Sequence, residues 1–95
     1  MEYGVEILEQ IEMMAAALLP PSEIAILLSL SAEERKVFCE MCKSHASSEV
    51  YLAYHRGKLT TKLELRKTVV KLAKAGSPAA EPLADRYMIE QSKLE

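Results

Sequence analysis

The fold is decided by PSEIAILLSLSAEERKVFCEM, the stretch from Pro21 to Met41. Ser22 or Pro20 opens a short helix over Glu23 to Leu28, since a proline suits a helix start, where its missing N–H is not needed. Ile24, Ala25, Leu27 and Leu28 are its apolar positions, and Ser29-Leu30-Ser31 interrupts it. Ser31-Ala32-Glu33-Glu34 then reads as a capping box, in which Ser31 accepts from the Glu34 amide and the Glu34 carboxylate accepts from the Ser31 amide. A longer helix follows to about Lys43, with Val37, Phe38, Met41 and Cys42 inward. Short helix, three-residue turn and second helix make a helix-turn-helix layout. The small Ala25 lets the two helices cross closely, while Ile24, Leu28, Leu30 and Phe38 fill the angle between them. An ordinary helical hairpin inside an α-bundle fits the same pattern.

Upstream, Val5, Leu8, Ile11, Ala15 and Leu18 recur at three and four residues, which predicts an amphipathic helix from about Tyr3 to Leu19. Glu2, Glu6, Glu9 and Glu12 lie on its outer side, and Pro20-Pro21 ends it. Downstream, Ser47 or Ser48 caps a fourth helix that either runs unbroken to Ala75 or breaks. Gly57 weakens it, and Thr61-Lys62-Leu63-Glu64 looks like a second capping box. Its apolar residues form two stripes, Leu52, Leu59, Leu63 and Val70 against Leu65, Val69 and Leu72. Continuity with a bend is the expectation. Gly76 suits the position after a helix end, Ser77 an N-cap and Pro78 a first turn, so a fifth helix runs to about Gln91 unless Pro82 delays its start. No run of four residues reads as a strand. The expected architecture is all-α: a helix-turn-helix-like helical bundle of about five helices with a long basic fourth helix. It forms one domain over residues 1–95, with N-terminal helices at 1–45, the basic helix at 47–75 and the C-terminal helix at 77–92.

The chain has 95 residues, 49% of them hydrophobic and 27% charged, which fits one globular domain. Area scaling gives a compact chain of this mass about 5,500 Å² of surface, so a core can form without disulfides. The start is acidic and lacks the basic head of a signal peptide. The longest apolar run, Met13 to Leu19, is seven residues, well short of the ~20 that span a bilayer. Cys39 and Cys42 sit three apart, a helical spacing that seldom has disulfide geometry. A reduced, cytoplasmic setting and no membrane are expected.

Little in the chain resembles a catalytic constellation. There is no G-x-S-x-G, Walker loop, G-x-G-x-x-G or H-E-x-x-H. Cys39, Cys42 and His45 give C-x2-C-x2-H, but zinc takes four ligands and no second cysteine pair exists. The cysteines read better as small buried hydrophobes, and His45 and His55 as surface or helix-edge residues. Tyr51 and Tyr54 could stack on bases; anchoring the fourth helix in the core explains them more simply. No enzyme, cofactor or metal is expected.

Charge is unevenly spread. Residues 1–49 hold nine Glu against Arg35, Lys36 and Lys43, for −6. Residues 50–74 hold Arg56, Lys58, Lys62, Arg66, Lys67, Lys71 and Lys74 against Glu64, for +6. Residues 75–95 carry −2, so a net charge of −2 hides a strongly basic middle. On a helix, Lys58, Lys62 and Arg66 line one side, and Arg56, Lys67, Lys71 and Lys74 cluster on another. Such a face either neutralises phosphates or pairs with acids of its own chain.

Ala53-Tyr54-His55-Arg56-Gly57-Lys58-Leu59, then Leu63-Glu64-Leu65-Arg66-Lys67, then Lys71-Leu72-Ala73-Lys74-Ala75-Gly76-Ser77-Pro78 resemble a pattern of small phage proteins. There an A-x-x-R/K-G-K/R helix leads into L-R-x-x-x-x-K-L-A-K-x-G-N-P and a final helix, behind an upstream I-A-x-x-L helix-turn-helix matched here by Ile24 to Leu28. Over about residues 20–90 the chain resembles small terminase subunits of tailed phages and related prophage helix-turn-helix proteins. The resemblance implies binding of double-stranded DNA through the helix-turn-helix, oligomers assembled through later helices, and presentation of the genome to a large packaging subunit. It assigns DNA contacts to Arg35, Lys36 and Lys43 in the helix-turn-helix, and to Arg56, Lys58, Lys62 and Arg66 on the basic helix. Glu33-Glu34 depart from the neutral or basic opening of a DNA-reading helix. Ser77 in place of Asn is harmless, because both cap helices well. The competing reading is a helical protein-protein interaction or oligomerisation module without DNA binding.

Overall fold

A computed structural model describes residues 3–93, and it is all helical: α1 Val5–Ala16, α2 Pro21–Leu27, α3 Ala32–Ser44, α4 Glu49–Lys74 and α5 Glu81–Ser92. Among the described residues there is no strand. The expected all-α architecture of five helices with a long fourth one stands.

Three of the helix ends close by one device. The amide of Leu19 donates to the carbonyl of Met14 and that of Leu18 to Ala15. Leu30 and Ser29 do the same to Ala25 and Ile26, and Ser77 and Gly76 to Leu72 and Ala73. Each is a Schellman motif, whose turning residue takes the left-handed backbone. Gly76 does so at φ 92, but Leu18 at 67 and Ser29 at 60 carry side chains there. The first helix therefore stops at Ala16, short of the expected Leu19. The turn between α2 and α3 is made by Ser29 in the place where glycine is usual.

The helix starts follow local chemistry. Pro20 caps α2 and Pro21 begins it, two residues before the expected Glu23. The capping box at Ser31 is complete: the Glu34 amide donates to Ser31 Oγ at 3.2 Å, and the Ser31 amide to Glu34 Oε1 at 2.9 Å. Ser48, rather than Ser47, caps α4 by accepting from the Tyr51 amide at 3.0 Å. The fifth helix begins at Glu81, not Ser77; residues 78–80 form a turn. Pro82 is the reason, since it lacks an N–H and is tolerated only in a first turn.

The chain divides into two compact units, Met1–Thr61 and Lys62–Glu95. The core of the first is Ile11 and Ala15 of α1, Ile24 and Ala25 of α2, Phe38 and Cys42 of α3, and Val50 and Ala53 of α4. Leu28 and Leu30 are half-buried against it between α2 and α3, and Tyr54 is half-buried there as the expected anchor of α4. Four residues expected inside are exposed: Val5, Leu18, Leu27 and Val37. Val5 and Leu27 are the terminal residues of α1 and α2, and Leu18 is the turning residue beyond the end of α1.

α4 is unbroken through Gly57 and Thr61. Gly57 is buried because α1 crosses it backbone to backbone. Thr61 caps nothing; its hydroxyl donates to the carbonyl of Ala16 at 2.5 Å, one of the last orphan acceptors of α1. His55 lies 2.8 Å from the carbonyl oxygen of Cys42, near the end of α3. The histidine tethers α4 to α3, with Tyr51 stacked on its ring at 4.0 Å.

The second unit pairs the C-terminal half of α4 with α5. Ala80 is its one buried residue among those described, while Leu63, Leu65, Leu72, Met88 and Ile89 are about half exposed. Such exposure accounts in part for an accessible surface of 6921 Å², against the roughly 5,500 Å² expected of a compact chain.

Candidate nucleic-acid interface

In the first unit, α2 and α3 pack against each other across the turn at Ser29, and α3 offers an outer face built from Glu33, Lys36, Glu40 and Lys43. All four are exposed, and the spacing of three and four residues places them in one alternating row. Glu34, the second acid at the helix start, is turned away from that row. Its bonds with Ser31, the backbone one first, hold its carboxyl below the usual carboxylate range. The acidic opening of α3 is thus half absorbed by capping.

Lys36 and Lys43 line a groove of about 610 Å³ between α2 and α3, together with Ile26 and Cys39. Arg35 lines it too, but its guanidinium Nη1 donates to the carbonyl of Leu30 at 3.0 Å. That bond braces the turn and fixes where the guanidinium sits, although no acid neutralises its charge among the described residues. Cys42 faces the core, and burial pushes its thiol up to about 12. Among the described residues no cluster of three His, Cys, Asp or Glu side chains could hold a metal.

Arg56 and Lys58 complete the first unit's cations. Arg56 stands 3.9 Å from Glu12 of α1, both well exposed, a pairing of little energetic weight. Lys58 is exposed two positions on, which on a helix is almost the opposite side. The expected set therefore does not gather: Lys36 and Lys43 share one face, Arg35 braces a turn, and Arg56 and Lys58 point apart.

The second unit holds Lys62 and Arg66. Lys62 is exposed, whereas Arg66 is a clasp: Nη2 reaches Glu90 Oε2 at 2.6 Å, and the guanidinium lies 4.1 Å over the Tyr87 ring. The Arg66 hydrogen bond and charge hold the Glu90 carboxyl below its ordinary value. Lys67, Lys71 and Lys74, outside the assigned contacts, are exposed on α4 and make no ion pair among the described residues. Their spacing of four and three residues, with no acid between them on that face, was the signal for them.

No described helix is long and apolar enough to cross a membrane. No family model, curated protein or solved structure matches the chain.

Proposed function

We propose that the chain is a non-enzymatic DNA-binding accessory protein of phage or mobile-element origin, similar to small terminase subunits in DNA packaging. The observation that carries this reading is the helix-turn-helix pair α2–α3, with Lys36 and Lys43 on the outer face of its second helix. Both ammonium groups are available to phosphates, and Arg35 stiffens the turn that aims the helix. Glu33 and Glu40 in the same row repel phosphate and weaken that contact, and α3 carries no Asn or Gln to read bases, so binding is salt-sensitive and weakly sequence-selective. The protein acts as a homo-oligomer in the bacterial cytoplasm and hands DNA to a large packaging subunit. The half-exposed Leu65 and Leu72, on the side of α4 away from Lys67 and Lys71, support the oligomer, because a two-helix pair with so small a core needs further cover.

Fluorescence anisotropy with labelled duplex DNA tests the proposal. Binding at low salt that weakens steeply as salt rises is the expected result. No binding at tens of micromolar protein and low salt overturns it.

A second reading is favoured by the acids themselves. If Glu33 and Glu40 compensate Lys36 and Lys43, the same face suits a helix of a protein partner, and the chain is an interaction module without DNA affinity. The anisotropy experiment separates the two.

A further inference from the structure

We propose that Lys67, Lys71 and Lys74 form a second phosphate-binding stripe, which holds the backbone of duplex DNA without reading its sequence. The inference rests on the DNA-binding reading above and places a contact in the second unit, apart from the helix-turn-helix.

The three lysines occupy one side of α4 and span seven residues, about 10 Å at the ~1.5 Å rise of a helix. One strand of B-DNA presents roughly three phosphates over that length, at ~3.4 Å of axis each. Leu63 and Val70 run alongside in the same shallow groove, an apolar bed for the lysine stems that leaves the ammonium groups in water. Arg66 borders the groove but is committed to Glu90 and Tyr87. Glu64 is the nearest acid on α4, three residues before Lys67 and exposed, and Glu81 and Asp85 of α5 share a second groove with Lys74; no ion pair ties any of them to a stripe lysine among the described residues.

The helix dipole gives Lys71 and Lys74 a partial reason to sit in the last turn of α4. It gives none to Lys67, which lies before that turn and completes the stripe. An acidic protein segment would also be attracted. Duplex DNA is favoured because it offers a regular row of charges with no apolar demand, and the stripe is a regular row of charges.

The test is the salt dependence of duplex binding by the full chain. Lys67→Ala/Lys71→Ala/Lys74→Ala should lower the slope of log K against log salt by about 2.7, at ~0.9 per phosphate contact. Affinity near 0.1 M salt should fall at least tenfold. Alanine is a better helix former than lysine, so α4 persists, and circular dichroism checks it. The matching triple arginine variant should keep the wild-type slope. A triple alanine variant with the wild-type slope, while Lys36→Ala/Lys43→Ala lowers it, overturns the stripe and leaves the DNA reading standing. Loss of poly-glutamate binding with an unchanged DNA slope also overturns it, in favour of an acidic protein partner. If the wild type binds no duplex, both proposals fall.

Discussion

Gly57 of α4 and Glu12 of α1 meet backbone to backbone: a β-carbon on Gly57 would overlap the Glu12 carbonyl group and press on the Ala15 β-carbon at 3.0 Å. Ala15 and Ala53 flank this crossing in the core, and small residues are what allow two helices to approach so closely. A glycine that looks like a weak point in α4 is the position at which α1 seats.

Gly57→Ala should therefore destabilise the protein. Helix propensity alone favours alanine by about 1 kcal/mol. Forcing an atom against a backbone carbonyl typically costs ~1–3 kcal/mol and more when nothing can yield. The expected outcome is a net loss of about 2 kcal/mol, read from the urea midpoint. A rise in stability would mean that α1 does not lie on this glycine.

Ser29 holds a left-handed backbone at φ 60, a conformation costing a residue with a side chain about 1 kcal/mol or more. Ser29→Gly should raise stability by roughly 0.5–1 kcal/mol, even after the greater freedom of glycine in the unfolded chain. The denaturation midpoint should rise with an unchanged slope. A fall would show that the turn between α2 and α3 is not the Schellman turn described.

Much of this was legible because it is local. The capping box at Ser31 and Glu34, the turn at Gly76 and the delay imposed by Pro82 depend on residues within five positions of one another. What sequence periodicity could not tell is which parts of an apolar stripe a neighbour covers. Val5, Leu18, Leu27 and Val37 have the right spacing and remain exposed, and Gly57 has no meaning until α1 is laid on it. The charge count found the basic segment, but not that Arg35 would bind the Leu30 carbonyl and Arg66 the Glu90 carboxylate. The Arg66 partner lies on the next helix, twenty-four residues away, and the Arg35 partner is a backbone carbonyl, which a count of charges does not reveal.

The two cysteines should behave differently. Cys42 is buried, and that burial raises its thiol from 9.0 to about 12, whereas Cys39 is half-buried at the edge of the α2–α3 groove. The native protein should react with one equivalent of a thiol reagent quickly and the second only on unfolding. Above about pH 9 the unfolded chain loses the Cys42 proton and the folded one keeps it. Stability from this group is then complete below pH 9 and falls as pH rises, by at most about 1.4 kcal/mol per pH unit. Tyr3 and Tyr54, also raised chiefly by burial, act in the same direction. Thermal unfolding from pH 8 to 10.5 should show a steeper decline for the wild type than for Cys42→Ala. Equal slopes would contradict the burial of this thiol.

The central claim is that the outer face of α3 meets DNA, and amide resonances report on it directly. In ¹H–¹⁵N spectra of the full chain titrated with a duplex at low salt, residues 33–44 should shift, most strongly around Lys36 and Lys43. Addition of salt should reverse those shifts. A titration that saturates without moving them, or that moves no resonance at all, would contradict the account.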